Sequence, residues 1–313
     1  MTALVTIGEA MAVVAAERPG PLTSGAALHL AFAGAEATVA IGVSRLGHTA
    51  SWTGRVGADS AGTMILQGLR GEAVDVTRAR VDASAPTGLM LRECRTQDHT
   101  RVTYYRHGLA GSRLTPDDID PELIAHARIL HITGITPALG AGPRAAIRHA
   151  VELAGQAGVT VSLDLNYRAK LWSRQDAAAE LSDLVTRADI VFASPDEATL
   201  IVPEADPATM ARALLELGPR EAVLKLGAHG AHAVTDEGEA VQNIVPITLV
   251  NPIGAGDAFV AGYLTGHLDG AALSTRLHLA ATCGAFAVAA HGDWEGLPRR
   301  AELDLLLGQD VAR

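Results

Sequence analysis

The chain has 313 residues, a length that fits one large α/β domain or a domain with a small appendage. Hydrophobic residues make up 48% and charged residues 19% of the chain, which predicts a large core and excludes a disordered, collagenous or fibrous protein. The formal net charge is −10. A chain this acidic lacks the basic surface of a nucleic-acid-binding protein, and an anionic membrane would repel it.

Cysteine content and the N-terminal residues bear on the cellular compartment. The two cysteines, Cys94 and Cys283, cannot build a disulfide framework or a zinc site by themselves, so we interpret them as thiols in a reducing compartment. There is no apolar stretch of transmembrane length, and Met1–Gly8 lacks the basic start of a signal peptide. We therefore expect a soluble cytoplasmic protein.

Short apolar runs alternate with helix-length amphipathic segments along the chain. The runs are nearly uncharged and rich in β-branched residues, which is typical of buried parallel strands. They are Ala3–Ile7, Ile129–Thr133, Val159–Asp164, Asp189–Ala193 and Ala222–Lys225. Helical patterns with apolar positions at three- and four-residue steps cover Ala35–Leu46, Pro143–Ala157 and Arg174–Arg187. The alternation predicts a three-layer α/β fold with a central, mostly parallel sheet and helices on both faces.

Two regions interrupt this rhythm. Residues Met11–Phe32 and Thr87–Arg106 have an extended pattern but few apolar residues. The second region alternates around a polar turn at Thr96–Thr100, as in a hairpin with one solvated face. Because neither region has enough apolar surface to fold alone, we predict a single domain over residues 1–313 with a small β appendage from about residues 11–32 and 87–107.

The carboxyl ends of the predicted strands are the places to look for chemistry. In an open parallel sheet, ligands bind beyond these ends. The segments concerned are Asp164–Arg168, Ser194–Glu197, Lys225–Gly230 and Asn251–Asp257. The last segment is the most informative, because it follows the apolar run Ile247–Val250 and precedes a strongly helical stretch, Ala258–Leu268.

Small residues near the start of that helix predict an anion site. Gly254, Ala255 and Gly256 would place free backbone N–H groups at a helix N-terminus, where they can surround a phosphate. Asp257 would repel the same anion, an arrangement that is sensible if its carboxylate accepts a proton from a hydroxyl that attacks a bound phosphoryl group. The alternative is an ordinary glycine-rich turn in which Asp257 stabilises the helix dipole.

The order of several motifs resembles that of a known family. The chain has no Gly-x4-Gly-Lys-Ser/Thr P-loop and no Gly-x-Gly-x-x-Gly fingerprint, so a phosphate donor would be held another way. Ala33–Glu36, Arg55–Gly62 and Gly254–Asp257 together resemble motifs of the ribokinase-like (PfkB-type) sugar kinases, over nearly the whole chain. The resemblance implies a ribokinase-like sandwich, a β lid over the sugar, and phosphoryl transfer from ATP with Mg2+.

Further segments resemble the branch of this family that phosphorylates 2-keto-3-deoxygluconate. They are Tyr104–Arg106, His131–Ile135 with Pro137–Leu139, Asp164–Arg168 with Leu171–Trp172, and His291–Gly296. Such a substrate carries a carboxylate, for which Arg106 and Arg168 can supply forked donors, and strand alternation places Tyr104 on the same face as Arg106. A solvated strand edge at Tyr104–Arg106 and a surface ion pair at Arg168 are the structural alternatives.

The resemblance also implies roles for individual residues. The sugar would contact Gly34, Met90, Tyr104, Arg106, Ile135, Asn166, Arg168, Asp257 and Asp293. The nucleotide would contact Asn166, Arg168, Ser194, Lys225, Gly227, Gly230, Gly254 and Gly256. Asp257 would be the general base, the Gly254–Asp257 amides would hold the charge of the transferred phosphoryl group, and Glu197 would steer Mg2+ through water.

Several positions depart from the family pattern. Ala33 stands where a glycine is expected, and Thr38 and Ser194 stand where asparagines are expected. Asn251 stands where an aspartate usually opens the phosphate loop, and Met90 stands where an aromatic residue is common below the lid. Three functions stay open: phosphorylation of the terminal C6 hydroxyl of 2-keto-3-deoxygluconate, the same reaction on another sugar (fructose, ribose or another keto-sugar acid), and a non-catalytic sugar or nucleotide sensor. An exposed strand edge on the lid tends to find a partner, so we also expect a homo-oligomer, a dimer or higher.

Overall fold

The computed structural model describes residues 2–96 and 99–306. Its strands are β1 (Thr2–Ile7), β2 (Met11–Ala16), β3 (Leu28–Ala33), β4 (Ala50–Thr53), β5 (Arg55–Gly57), β6 (Val74–Asp75), β7 (Arg80–Asp82), β8 (Leu89–Thr96), β9 (His99–Tyr105), β10 (Ala127–Thr133), β11 (Thr160–Asp164), β12 (Ile190–Ala193), β13 (Glu221–Lys225), β14 (Ala231–Thr235) and β15 (Gly238–Gln242). Its helices are α1 (Ala35–Arg45), α2 (Ser60–Gly71), α3 (Pro121–Ala125), α4 (Ala141–Ala157), α5 (Arg174–Val185), α6 (Pro195–Ala198), α7 (Pro207–Leu215), α8 (Ala255–Leu268) and α9 (Leu273–Val288). The five apolar runs predicted as strands are β1, β10, β11, β12 and β13, and the three predicted helices are α1, α4 and α5.

Nine strands form the central sheet in the order β15-β14-β13-β12-β11-β10-β1-β4-β6. The neighbouring strands from β13 to β6 pair in parallel, whereas β14 and β15 are antiparallel at one edge. The carboxyl ends of the parallel strands therefore lie along one edge of the sheet, where ligands bind in folds of this kind. The predicted central, mostly parallel sheet is confirmed.

Helices cover both faces of the central sheet. Leu4 on β1 packs into a cluster with residues of α1, α2, α8 and α9, and its neighbour Val5 packs into a cluster with residues of α3, α4, α5 and α7. Both side chains are fully buried, as a parallel strand between two helical layers requires. Among residues 2–96 and 99–306, none of the helices combines the length and the hydrophobicity that a bilayer-spanning helix needs. The molecule is a three-layer α/β sandwich with a smaller sheet attached.

Four strands, in the order β3-β2-β8-β9, form a second sheet, called the small sheet below. Its strands fall in the two regions where the β appendage was predicted, and β8 and β9 form the expected antiparallel pair. The predicted turn at Thr96–Thr100 includes residues 97 and 98, which lie outside the described residues. One face of the small sheet packs around Met11, Val13 and Met90.

The segment that precedes the anion loop is irregular. The apolar run Ile247–Val250 precedes the anion loop but forms no strand, because residues 243–254 lie in neither a strand nor a helix. Ile247, Leu249 and Val250 are exposed. The loop is anchored instead by the Asn251 backbone N–H, which donates to the carbonyl oxygen of Val288 over 3.0 Å. Position in the fold, and not apolarity alone, decides which runs become strands.

Candidate active site

Helix α8 begins at the predicted anion loop. Gly254 is its N-cap, with a φ of 80°, a left-handed conformation that favours glycine. A Cβ at Gly254 would overlap the carbonyl oxygen of Asp293. Ala255 and Gly256 open the helix, and Asp257 lies in its first turn. First-turn N–H groups have no acceptor within the helix, so the loop retains the free N–H groups on which the prediction of an anion site rests.

The carboxyl group of Asp257 lies among charged and polar side chains. The Nδ2 atom of Asn166 lies 3.4 Å from Oδ1 of Asp257. Burial raises the pKa of Asp257 to about 7, and the charge of Asp164 adds to the rise, while Lys225 and Arg168 oppose it. A carboxyl group with a pKa near neutrality can accept a proton efficiently at physiological pH.

Lys225 brings positive charge to the anion loop. Its Nζ donates to Oδ2 of Asp164 over 2.6 Å and lies 3.8 Å from the position that a Cβ on Gly256 would take. Burial disfavours the ammonium form, but Asp164 and Glu197 outweigh that effect and raise the pKa of Lys225. In this neighbourhood Asp164 Oδ1 and Asn166 Oδ1 are buried without a hydrogen-bond partner. A bound ligand would supply partners to these two oxygens.

Ser194 and Glu197 form a capping box at the start of α6. The Glu197 N–H donates to Ser194 Oγ over 3.2 Å, and the Ser194 N–H donates to Glu197 Oε2 over 2.7 Å. The second carboxylate oxygen, Oε1, accepts from the Tyr167 N–H over 3.0 Å. Glu197 therefore ties the loop after β11, which carries Asn166 and Arg168, to the start of α6.

The turn between β13 and β14 needs its glycines for conformational reasons. Gly227 has a φ of 58° and Gly230 a φ of 84°, both in the left-handed region that other residues rarely adopt. A Cβ at Gly230 would in addition overlap the carbonyl oxygen of Gln242. The turn follows Lys225, whose Nζ lies near Gly256 of the anion loop; the assignment of Gly227 and Gly230 to the nucleotide stays a prediction.

The small sheet presents Met90, Arg92 and Tyr104 on one face. Met90 lies directly opposite Tyr104 in the β8–β9 register, and Arg92 follows Met90 by two residues, which keeps it on the same face. Arg92 Nη2 donates to both carboxylate oxygens of Asp293, over 3.1 and 3.0 Å. The predicted sugar-binding residue Asp293 is thus already held by a guanidinium group from the small sheet.

Arg106, directly after β9, is paired inside the protein. Its guanidinium lies 5.5 Å from the ring centroid of Tyr104 and forms an ion pair with Glu9. Burial raises the pKa of Glu9 to about 6, against the opposing charge of Arg106. A Cβ on Gly34 would overlap the carbonyl oxygen of Glu9, so the predicted residues Gly34 and Arg106 both contact this glutamate.

A second buried carboxyl group, that of Glu36, lies beside a predicted sugar-binding residue and acts electrostatically on Asp257. Oε1 of Glu36 accepts from the hydroxyls of Thr133 and Thr136 over 2.7 and 2.8 Å, and the predicted residue Ile135 lies between these threonines. Burial raises the pKa of Glu36. Its charge also contributes to the raised pKa of Asp257. The loop after β10 and the first turn of α1 therefore border the site.

The predicted residues divide into two groups. A groove of about 490 Å3 lies beneath β9, and Tyr104, Arg106 and Lys170 are among its lining residues, whereas Asp257 is not. Arg168 is exposed, and its charge acts on Asp257, which places it with the anion-loop group. Within the described part of the chain Arg168 forms no ion pair, so the structural alternative considered for it is not observed.

Sequence reasoning missed two charged residues of this region, Glu9 and Arg92. Glu9 lies just beyond the carboxyl end of β1. The predicted site loops also lie beyond the carboxyl ends of strands, so the same rule could have included Glu9. Arg92 follows Met90 by two residues on β8, so strand alternation could have placed it beside the predicted sugar-binding face. Their partners lie far away in sequence and could not be identified from the motifs.

An anion loop and a carboxyl group together at the carboxyl edge of a parallel sheet are compatible with phosphoryl transfer. The profile of the pfkB family carbohydrate kinases matches residues 1–300. The chain belongs to this family, and it is a carbohydrate kinase with the ribokinase-like fold.

Relatives with assigned names are similar over nearly the full length. The chain is 37% identical over 302 residues to the 2-dehydro-3-deoxygluconokinase of Bacillus subtilis (strain 168), covering 96% of this chain and 93% of that protein. It is 37% identical over 312 residues to the 2-dehydro-3-deoxygluconokinase of Thermoproteus tenax, covering 98% and 94%. The crystal structure of a PfkB protein from Polaromonas sp. JS666 matches with a TM-score of 0.89 at 37% identity, covering 97% of this chain and 99% of that one.

Proposed function

We propose that this kinase transfers the γ-phosphoryl group of ATP to the C6 hydroxyl of 2-keto-3-deoxygluconate, which is also called 2-dehydro-3-deoxygluconate. The observation that carries the proposal is the placement of Asp257 in the first turn of α8, immediately after Gly254–Gly256 and 3.4 Å from the Asn166 amide nitrogen. The names of the two relatives at 37% identity support the choice of substrate.

Asp257 acts as the general base in this proposal. The C6 hydroxyl gives its proton to the carboxylate while its oxygen bonds to the γ-phosphorus, and the bond from that phosphorus to the β–γ bridging oxygen breaks, which leaves ADP. The backbone amides of Gly254, Ala255, Gly256 and Asp257 hold the charge on the transferred group. Because the transition state is loose, most of the acceleration comes from positioning, and the proton can move late.

The nucleotide is proposed to bind along Lys225 and the turn with Gly227 and Gly230. Mg2+ prefers oxygen ligands and keeps water and phosphate oxygens around it; Asp164 Oδ1 and Asn166 Oδ1, buried and unpartnered, fit that preference. In the described residues no group of three His, Cys, Asp or Glu side chains could hold a metal by itself. The cation would therefore arrive with the nucleotide, with Glu197 reaching it only through water. When bound, it neutralises charge on the phosphates.

Recognition of the sugar acid is proposed to rest on Arg168, Arg106 and Tyr104. Arg168 is exposed and close enough to Asp257 for its charge to affect the pKa of that residue. Arg106 already shares its charge with Glu9, so it offers only its remaining N–H groups. That pairing favours a second candidate, a kinase for a neutral sugar such as fructose or ribose, in which Arg106 orients hydroxyls instead of a carboxylate.

A panel assay tests the proposal. ADP release is measured with ATP and Mg2+ against 2-keto-3-deoxygluconate, 2-keto-3-deoxygalactonate, fructose and ribose. We expect kcat/KM to be highest for 2-keto-3-deoxygluconate. A preference for fructose or ribose would support the second candidate, and ligand binding without ADP release for any of the four sugars would contradict the proposed reaction.

The small sheet is proposed to serve as a lid and as the contact between subunits. The face opposite Met90 and Tyr104 carries Leu28, Leu30 and Tyr105, which are 44%, 60% and 52% exposed. Exposed apolar patches on a sheet mark interaction surfaces. A second copy of this chain is the proposed partner.

A further inference from the structure

Arg92 and Asp293 form a largely buried ion pair between the small sheet and the main body of the protein. The two side chains are only 12% and 13% exposed. One guanidinium nitrogen, Nη2, contacts both carboxylate oxygens, and Nε of Arg92 is buried without a partner. Removing one member of such a pair leaves the other charge buried and uncompensated, which costs far more than losing an exposed ion pair.

The main chain at Asp293 is in turn packed on the anion loop. Its carbonyl oxygen occupies the place where a side chain on Gly254 would begin. Its N–H donates to Glu295 Oε2 over 2.9 Å, so the segment is held at its backbone as well as at its carboxylate. One continuous set of contacts therefore leads from Arg92, through Asp293, to the N-cap of α8.

The other end of this connection is the face of the small sheet that carries Met90 and Tyr104. Arg92 shares that face, and its Nη2 lies 3.5 Å from the sulfur of Met90. A shift of the small sheet relative to the body would therefore move the guanidinium that holds Asp293. Since the anion loop must hold transferring charge within fractions of an ångström, a small displacement of Gly254 has a large effect on catalysis.

We propose that Arg92 is a positioning residue for phosphoryl transfer: it holds Asp293 so that the anion loop at Gly254 is ordered only when the small sheet is in place. The inference rests on the proposed kinase reaction and adds to it a coupling between the lid and the phosphate site. We expect the loss of Arg92 to lower kcat, because ordering of the anion loop matters most when the phosphoryl group is transferred.

Arg92→Met tests the coupling, because methionine keeps much of the length and removes the charge. We expect kcat to fall about tenfold or more with a smaller change in KM for ATP. Arg92→Lys should recover part of the loss, since a single ammonium can replace the contact made by Nη2. Arg220→Met is the matched control, because Arg220 lies just before β13, is 79% exposed and is 3.7 Å from its ion-pair partner Asp189.

Hydrogen exchange supplies a measurement that needs no sugar. The Ala258 N–H donates to the carbonyl oxygen of Gly254 over 2.9 Å, so its protection reports order at the loop. We expect faster exchange in the first two turns of α8 for Arg92→Met and no change for Arg220→Met. Unchanged exchange in Arg92→Met, or a lower melting temperature with wild-type kcat, would overturn the inference. A wild-type protein without turnover for any sugar would instead reject the proposed function, and the exchange result would still decide the coupling.

Discussion

Asp257 shows how neighbours reverse the usual effect of a helix N-terminus. The positive end of the α8 dipole and the charges of Lys225 and Arg168 favour a carboxylate. Burial and the nearby carboxyl groups of Asp164 and Glu36 act in the opposite direction, and the pKa rises to about 7. A base poised near neutrality follows from this balance.

The raised pKa predicts the pH dependence of the reaction. The base must be deprotonated, so kcat/KM should rise with pH and level off above about 7, the pKa of Asp257 in the free protein. Steady-state ADP release from pH 5.5 to 9 measures this, with the sugar well below its KM. A profile that stays flat down to pH 5.5 would contradict the assignment.

The same shift has a consequence for stability. The folded-state pKa lies above the ordinary value of 3.8, so between these pH values the folded protein binds more protons than the unfolded chain, and its stability falls as pH rises. An asparagine does not ionise, so Asp257→Asn avoids the cost of burying the carboxylate. The unfolding free energy of this variant should therefore exceed that of wild type by more at pH 8 than at pH 5. Urea unfolding of both proteins at the two pH values provides the measurement. If Asp257→Asn increases the unfolding free energy equally at pH 5 and pH 8, the raised pKa of the buried Asp257 carboxyl group is contradicted.

Arg168 tests recognition of the substrate carboxylate. Arg168→Ala should raise KM for 2-keto-3-deoxygluconate about tenfold or more, since a charged hydrogen-bond donor to the carboxylate is lost. The matched control is Arg174→Ala, which removes an exposed arginine 3.4 Å from Asp196 at the surface and should leave KM unchanged. Equal kinetics for the two variants would mean that Arg168 does not bind the acid.

At the scale of elements, Glu197 joins the loop after β11 to α6. It accepts hydrogen bonds from the backbone N–H groups of Ser194 and Tyr167. Glu197→Ala leaves both donors without their acceptor, so the unfolding free energy should fall by about 2 kcal/mol. Asp196→Ala is the control, since that side chain is 77% exposed, and denaturant unfolding compares the two. A Glu197→Ala variant as stable as Asp196→Ala would show that the two hydrogen bonds contribute nothing.

The elements that could be predicted from sequence are those whose pattern reports burial directly. β1, β10, β11, β12 and β13 lie between two helical layers, so their residues are apolar on both sides and the runs are easy to identify. β14 and β15 lie at the antiparallel edge, where polar and apolar residues mix. The run Ile247–Val250 has the composition of a strand but lies exposed.

The candidate site residues that could be predicted are those whose partners are close in sequence. The loop at Gly254–Asp257 was predictable because its amides and carboxyl group are neighbours in sequence. The pairs Arg106–Glu9 and Arg92–Asp293 join residues far apart in the chain, and no local pattern specifies such pairings. Arg106 was therefore expected to be free for a substrate carboxylate, whereas the structure pairs it with Glu9.

At the scale of the whole molecule, the exposed face of the small sheet predicts self-association. Leu30→Asp places a charge on that face, at the edge strand β3, and should convert the oligomer to monomers, because burying an unpaired carboxylate is costly. Leu217→Asp, at an exposed position outside the small sheet, is the control. Sedimentation velocity measures the masses, and a monomeric wild type at working concentration would exclude the interface.

Asp257→Asn tests the central claim most directly, since the amide keeps the size of the side chain and cannot accept the proton. ADP release with 2-keto-3-deoxygluconate and calorimetric binding of ATP are measured on the same preparations. The account predicts that turnover falls by about a thousandfold or more while ATP affinity stays within a few-fold of wild type. Substantial turnover in Asp257→Asn would contradict it.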